Sequence, residues 1–176
     1  ATDEIMSSGQ FEITGKGAAA YRDLFTNPDL SKNKEMILFS DYDKDLNRKN
    51  NTSTVLNWQW NLSRSLADSY LKSDGTPITE ADRTKTFVDM FTDRDPRMAE
   101  TIMYPGFINE GDNSTLPTKI VLDYGGLGQI KFLPRTDATY GGWGENITDL
   151  PIIRYADVLL IFAEAENEAN GPTAAA

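Results

Sequence analysis

The stretch DLPIIRYADVLLIFAEA, residues 149–165, decides how the chain is read. Its apolar positions Ile152, Tyr155, Ala156, Leu159 and Ala163 fall at the three- and four-residue steps that line one stripe of an α-helix. Asp149 stands where an N-cap carboxylate belongs. Pro151 falls near the first helical position, where its missing N–H costs no hydrogen bond. Asn170-Gly171-Pro172 closes the helix, because glycine accepts a C-terminal cap conformation and proline cannot extend the ladder. Thr173 to Ala176 then reads as the first turn of another helix.

Working back toward the start, helical and extended signals alternate. Ala1 to Ser8 reads as the tail of a helix closed by Gly9, and Gly17 to Phe25 as a second helix ended by Asn27-Pro28. Glu35 to Ser40 is a short run of β-formers that predicts a buried strand. Asp41 to Thr54 is a polar, Asn- and Asp-rich loop. Ser65 to Leu71 predicts a helix, Ser73 to Pro77 a turn, and Thr79 with Asp82 a capping-box start for a helix running to about Phe91. Asp93 to Pro96 breaks that helix, and Met98 to Met103 reads as extended. From Phe107 to Glu145 the chain is loop-rich, with short strands expected at Lys119–Leu122 and Gln129–Leu133. The expected fold class is therefore mainly α with minor β (α+β): helices joined by long, loop-rich excursions and short strands. One domain covers 1–176, and both ends read as unfinished elements.

Composition narrows the chemistry. The chain holds 27 acidic against 17 basic residues, a formal charge of −10, which disfavours phosphate-rich nucleic acid and anionic membrane surfaces as partners. It has no Cys and no His, which removes disulfides, thiolate nucleophiles, Cys/His zinc sites and every His-based triad. The longest apolar run, Val158 to Ala163, is far short of the ~20 residues that span a bilayer. No cofactor motif is present. Five Asn-x-Ser/Thr triplets, at Asn50, Asn51, Asn61, Asn113 and Asn146, read as chance in so Asn-rich a chain.

Five blocks in order carry a family likeness. They are Ile5 to Phe11 with Tyr21 to Phe25; Lys34 to Phe39; Leu66 to Tyr70 with Asp74-Gly75; Phe91 to Met98 with Thr101-Ile102 and Pro105-Gly106; and Leu150 to Leu160 with Ala163-Glu164-Ala165. Together they resemble the SusD/RagB family of outer-membrane glycan-binding lipoproteins. Asp157, where the family usually has Glu, and Ile161-Phe162, where it has a polar–aromatic pair, are mild departures. The resemblance implies TPR-like helices, a non-enzymatic role, and a larger protein of which this chain is a central-to-late third. It implies an oligosaccharide or polysaccharide ligand and delivery to a SusC-like TonB-dependent transporter. It also implies a place at the outer-membrane surface of Bacteroidota through a lipid anchor that lies outside these residues.

Sugar recognition needs flat apolar ring faces for the pyranose C–H side and planar polar groups for its hydroxyls. Trp58 and Trp60, two apart in Asn57-Trp58-Gln59-Trp60-Asn61, share a face if the segment is extended. Tyr140 and Trp143 flank Gly141-Gly142, and Tyr124 precedes Gly125-Gly126. These five are the candidate ligand-binding residues; burial in a core is the competing reading for each. Asp41 to Asn47 imitates the opening of a calcium loop, but Leu46 and Thr52 stand where Gly and a bidentate Glu are required, so no metal site is expected. Asp93 to Arg97 reads as scaffold chemistry. Among 27 acidic residues Glu145, beside Trp143, comes nearest to a glycosidase acid. A protein-interaction scaffold contacting the transporter, with the ligand site elsewhere, is the rival to glycan capture.

Overall fold

Proline and β-branched residues, not the helical stripe, govern residues 150–154. In the computed structural model, which describes residues 1–15, 17–52, 61–109, 114–115, 126–133 and 144–173, this stretch is a strand. The elements in chain order begin with α1 (Thr2–Ser7), α2 (Ala18–Asp23) and β1 (Met36–Ser40). β2 (Asn61–Leu62), α3 (Arg64–Ser69) and α4 (Glu80–Arg83) follow. Then come β3 (Ile108–Asn109), β4 (Ser114–Thr115), β5 (Leu127–Gly128), β6 (Leu150–Arg154) and α5 (Tyr155–Asn170).

β6 lies antiparallel to β1, pairing Met36 with Arg154, Leu38 with Ile153, Phe39 with Pro151 and Ser40 with Leu150. Pro151 holds Leu150 out of the helical region, and Ile152 and Ile153 favour a pleated backbone. The expected helix start at Asp149 is thereby displaced to Arg154, whose N–H donates to Asp157 Oδ2 at 2.8 Å. Asp149 caps two other backbones instead, accepting from Leu30 N (2.9 Å) and Tyr42 N (2.8 Å) while 1% exposed. β1 is less buried than its composition suggests: Met36 is inside, but Leu38 is 47% exposed. α1 packs on α5, with Phe11 stacked 6.3 Å from Tyr155, and Gly9 leaves α1 at φ +64°.

The middle of the chain is cut into shorter pieces than expected. α3 starts at Ser63, whose Oγ accepts from Leu66 N at 3.1 Å. α4 has the predicted capping box, Thr79 with Asp82, but ends at Arg83 instead of Phe91. The reason is local: Thr86 Oγ1 accepts from Asp89 N (3.2 Å) and donates to its carboxylate (2.6 Å), starting a separate 3-10 turn over Asp89–Phe91. Residues 98–103 are likewise not simply extended. Asp95 accepts from Arg97 N, and Pro96 opens a 3-10 turn over Pro96–Met98. Thr101 to Met103 reach the ladder: Ile102 bridges Gln129, Met103 N donates to Gly128 O and Thr101 O accepts from Ile130 N. The strand expected at 129–133 shrinks to the Gln129 bridge and a turn closed by Leu133 N to Ile130 O at 2.9 Å. Lys119–Leu122 lies outside the described residues.

Three apolar clusters hold these pieces. Ala67, Met90, Met98, Ile102 and Leu127 form one; Leu24, Phe25, Leu30 and Met36 another; Phe107, Ile130 and Leu133 the third. A chain of edge-to-face rings runs from Phe87 through Phe91 and Tyr104 to Phe107. Among the described residues no helix is long and apolar enough to cross a membrane.

Candidate functional site

Short pairings tie together the chain on either side of the aromatic-bearing segments. Asn50 and Asn146 exchange backbone hydrogen bonds of 2.8 and 3.1 Å. Asn50 Nδ2 also donates to Thr148 O at 3.0 Å, and Lys49 Nζ sits 2.5 Å from Glu145 Oε2. Asn146 and Thr148 are buried, with Thr148 N donating to Asn146 Oδ1. A glycan on Asn146 is incompatible with its 0% exposure. On the other side, β2 pairs with β5, Asn61 against Gly128 and Leu62 against Leu127. A Cβ added to Gly126, at φ +150°, would meet that of Asn61 at 3.4 Å. The residues that precede 53–60 thus lie against those that follow 134–143, and the residues that follow 53–60 against those that follow 116–125.

Leu133, the last described residue before 134–143, is pinned from the opposite side. Arg22 Nη2, on α2, donates to its carbonyl at 2.7 Å, and the Arg22 guanidinium lies 5.4 Å from the Phe107 ring centre. Next to it, Lys131 places its ammonium 4.0 Å from the Phe25 ring centre, 5.1 Å from Tyr21 and 5.9 Å from Phe132. Phe25 meets Tyr21 edge-on at 5.2 Å and Phe132 at 5.4 Å. Tyr21, Lys131 and Phe132 are half-buried, while Phe25 beneath them is buried.

The five candidate ligand residues, Trp58, Trp60, Tyr124, Tyr140 and Trp143, lie outside the described residues. What the structure brings together is the frame around them. The Asp41–Asn47 loop closes on itself: Asp43 Oδ1 accepts from Asp45 N and Leu46 N, and Asp41 pairs with Arg48 at 2.7 Å. Among the described residues no cluster of three or more acidic side chains is placed to hold a metal ion. In the Asp93–Arg97 block, Arg94 donates to the carbonyls of Ala67, Tyr70 and Met90, and Asp95 forks onto Arg97. That second pairing holds the Asp95 carboxyl below its ordinary value and Arg97 above. Burial pushes Asp149 up, against the two backbone N–H groups it accepts from. The Tyr21–Phe25–Lys131–Phe132 surface is invisible to sequence reasoning, since its members come from α2 and a turn more than a hundred residues later. The only trace in the sequence is Lys131-Phe132, a cation beside a ring.

With this geometry in place, comparison with known proteins decides the family. The profile of the SusD family matches residues 29–176. The chain belongs to the SusD family. Its SusD fold is shared with a SusD-like protein of Bacteroides fragilis at 21% identity and a TM-score of 0.66, over 97% of this chain and 39% of that one. A SusD-like carbohydrate binding protein of the same species matches at 24% identity and a TM-score of 0.68, over 98% of this chain and 36% of that one. The chain therefore spans under two fifths of the length of these SusD-like relatives. A comparison with curated proteins gave no match.

Proposed function

We propose that the chain contributes to capture of an oligosaccharide or polysaccharide at the outer-membrane surface, without catalysis, for hand-over to a SusC-like transporter. The observation that carries this reading is the pairing of the described stems. Asn50 against Asn146, and Asn61–Leu62 against Leu127–Gly128, join the ends of all three segments that hold Trp58, Trp60, Tyr124, Tyr140 and Trp143. Rings carried on segments whose stems pair in this way are the means to build a stacking surface for pyranose faces. Membership of the SusD family and the fold shared with a carbohydrate binding protein of that family support the same reading.

The supporting details agree. Glu145 is exposed and partnered by Lys49 at 2.5 Å, whereas a general acid needs an apolar setting that favours its proton. In this reading α1 against α5 is part of a TPR-like helical layer, residues 1–176 are one part of a larger SusD-like domain, and a lipid anchor belongs to the rest of that protein.

Titrating soluble oligosaccharides against Trp fluorescence tests it. At least one glycan class should change the emission saturably, and Trp143→Ala should weaken that response at least tenfold. No response to any glycan would refute the reading.

A second reading is favoured by one specific feature. Leu38, Ile152, Ile153, Leu160 and Ile161 are 41–68% exposed along β1, β6 and α5, apolar side chains of the kind protein partners cover. A scaffold that contacts the transporter through these side chains, with the glycan held elsewhere, predicts transporter binding that Trp143→Ala leaves intact.

A further inference from the structure

In a chain of formal charge −10, one aromatic cluster is set with cations. Arg154 lies 5.3 Å from the Phe25 ring centre and is answered by Glu35 at 3.0 Å. Lys131 lies on the same ring at 4.0 Å and forms no ion pair with a described carboxylate. Its ammonium nitrogen is gathered among three rings, nearest to Phe25 and farther from Tyr21 and Phe132. Ring faces attract a cation but accept no full hydrogen bond, and among the described residues no carboxylate answers this charge. An ammonium that has exchanged part of its water for hydrocarbon gains more from an incoming oxyanion than a fully hydrated one, because the local dielectric is lower.

The place of this ammonium matters as much as its charge. Lys131 is two residues from Leu133, where Arg22 clamps the chain. Like Tyr21 and Phe132, it is only half-buried. Lysine is a compact point charge without the planar fork of arginine, so it selects for negative charge over a particular geometry. The net charge of the chain opposes an anion at long range, and at physiological salt that field fades beyond about 8 Å. The subsite therefore acts at contact distance.

We propose that Lys131, on the platform of Tyr21, Phe25 and Phe132, is an oxyanion subsite that takes a carboxylate or sulfate borne by a sugar, so that the glycan captured is an acidic one. This deepens the glycan-capture reading and rests on it. A neutral oligosaccharide stacks on rings without using Lys131, whereas an acidic one adds a charge-assisted hydrogen bond.

The test compares oligogalacturonate, its neutral methyl ester and a sulfated oligosaccharide by titration calorimetry. Wild type should bind an acidic form about tenfold tighter than the methyl ester, as one charge-assisted contact of ~1.4 kcal/mol gives. Which acidic form gains identifies carboxylate or sulfate as the group taken. Lys131→Met should erase the preference while binding the methyl ester as before, and Lys131→Arg should restore it. Reductive methylation of the folded wild type gives a second readout that needs no substitution. The Lys131 dimethylamine resonance, identified by its absence in Lys131→Arg, should shift with the acidic ligand and stay fixed with the ester. Equal affinity for all three ligands, a preference that survives Lys131→Met, or a resonance that does not move overturns the subsite and leaves glycan capture standing. Failure of every ligand to bind overturns both.

Discussion

At the scale of single residues, two charged groups show how the fold spends its polar side chains. Arg94 is 8% exposed and donates to the carbonyls of Ala67 (2.5 Å), Tyr70 (2.8 Å) and Met90 (3.3 Å), so one guanidinium ties the end of α3 to the 3-10 turn at 89–91. Arg94→Met leaves those carbonyls without their donor and should cost about 2–4 kcal/mol in a urea unfolding series. A loss below ~1 kcal/mol would contradict that role. Asp82 gathers Lys85 at 2.8 Å, Lys72 at 3.3 Å and the Thr79 backbone and hydroxyl, and these hold its carboxyl far below the ordinary 3.8. A depressed acid stabilises the fold at pH values above its unfolded value, and the gain is lost as the pH falls below about 4. Asp149 works in the opposite sense: raised by burial, it costs nothing while protonated in both states and becomes unfavourable as the pH rises past 3.8. Asp82→Asn should therefore flatten the loss of stability between neutral and acid pH. An acid limb as steep as that of wild type contradicts the assignment.

At the scale of elements, the β1–β6 pair and α5 carry the lesson about what sequence reveals. The helical stripe through Tyr155, Leu159 and Ala163 is genuine, and α5 occupies Tyr155–Asn170. Its start was misplaced because Asp149 and Pro151 have the chemistry of an N-terminus, whereas their use depends on β1, more than a hundred residues away. α4 is shorter than its pattern suggests for a local reason: Thr86 and Asp89 can continue a helix or cap a new turn, and here Thr86 caps the turn over Asp89–Phe91. Local signals were reliable where the partner is local. The Thr79–Asp82 box and the glycines at 9, 75 and 171 with positive φ all stand where the sequence puts them, whereas the Ser63 cap starts α3 before the expected Ser65. Glu35 was read only as part of a strand, yet it is the buried partner of Arg154 and accepts from Thr14 N at 3.1 Å. Glu35→Gln keeps the volume but strands a half-buried guanidinium, and should destabilise by about 3 kcal/mol in thermal and urea unfolding. A change within 0.5 kcal/mol would show that Arg154 finds Asp157, 3.9 Å away, an adequate substitute.

At the scale of the whole molecule, several large apolar side chains stand exposed among the described residues, and on β6 and α5 these include Leu160 (68%), Ile152 (56%) and Ile161 (55%). Replacing both Leu160 and Ile161 with Gln should leave the unfolding midpoint nearly unchanged, because little burial is lost. If exposed apolar side chains drive association, sedimentation across a concentration series should show wild type self-associating and the double variant less so. Association in the variant equal to that of wild type would contradict a role for these two side chains. The family was legible in five ordered blocks because such blocks encode scaffold contacts, Arg94 and Arg154 among them, that each recur as local sequence. The Lys131 surface was not legible, since nothing adjacent in sequence joins α2 to residues 131–132.

Affinity electrophoresis through gels cast with neutral and acidic polysaccharides tests glycan capture most directly. The chain should be retarded by at least one polysaccharide, and a variant carrying Tyr140→Ala and Trp143→Ala should run freely while unfolding at the same urea concentration. Free migration of the unaltered chain through every gel, with its fold intact, would contradict the account.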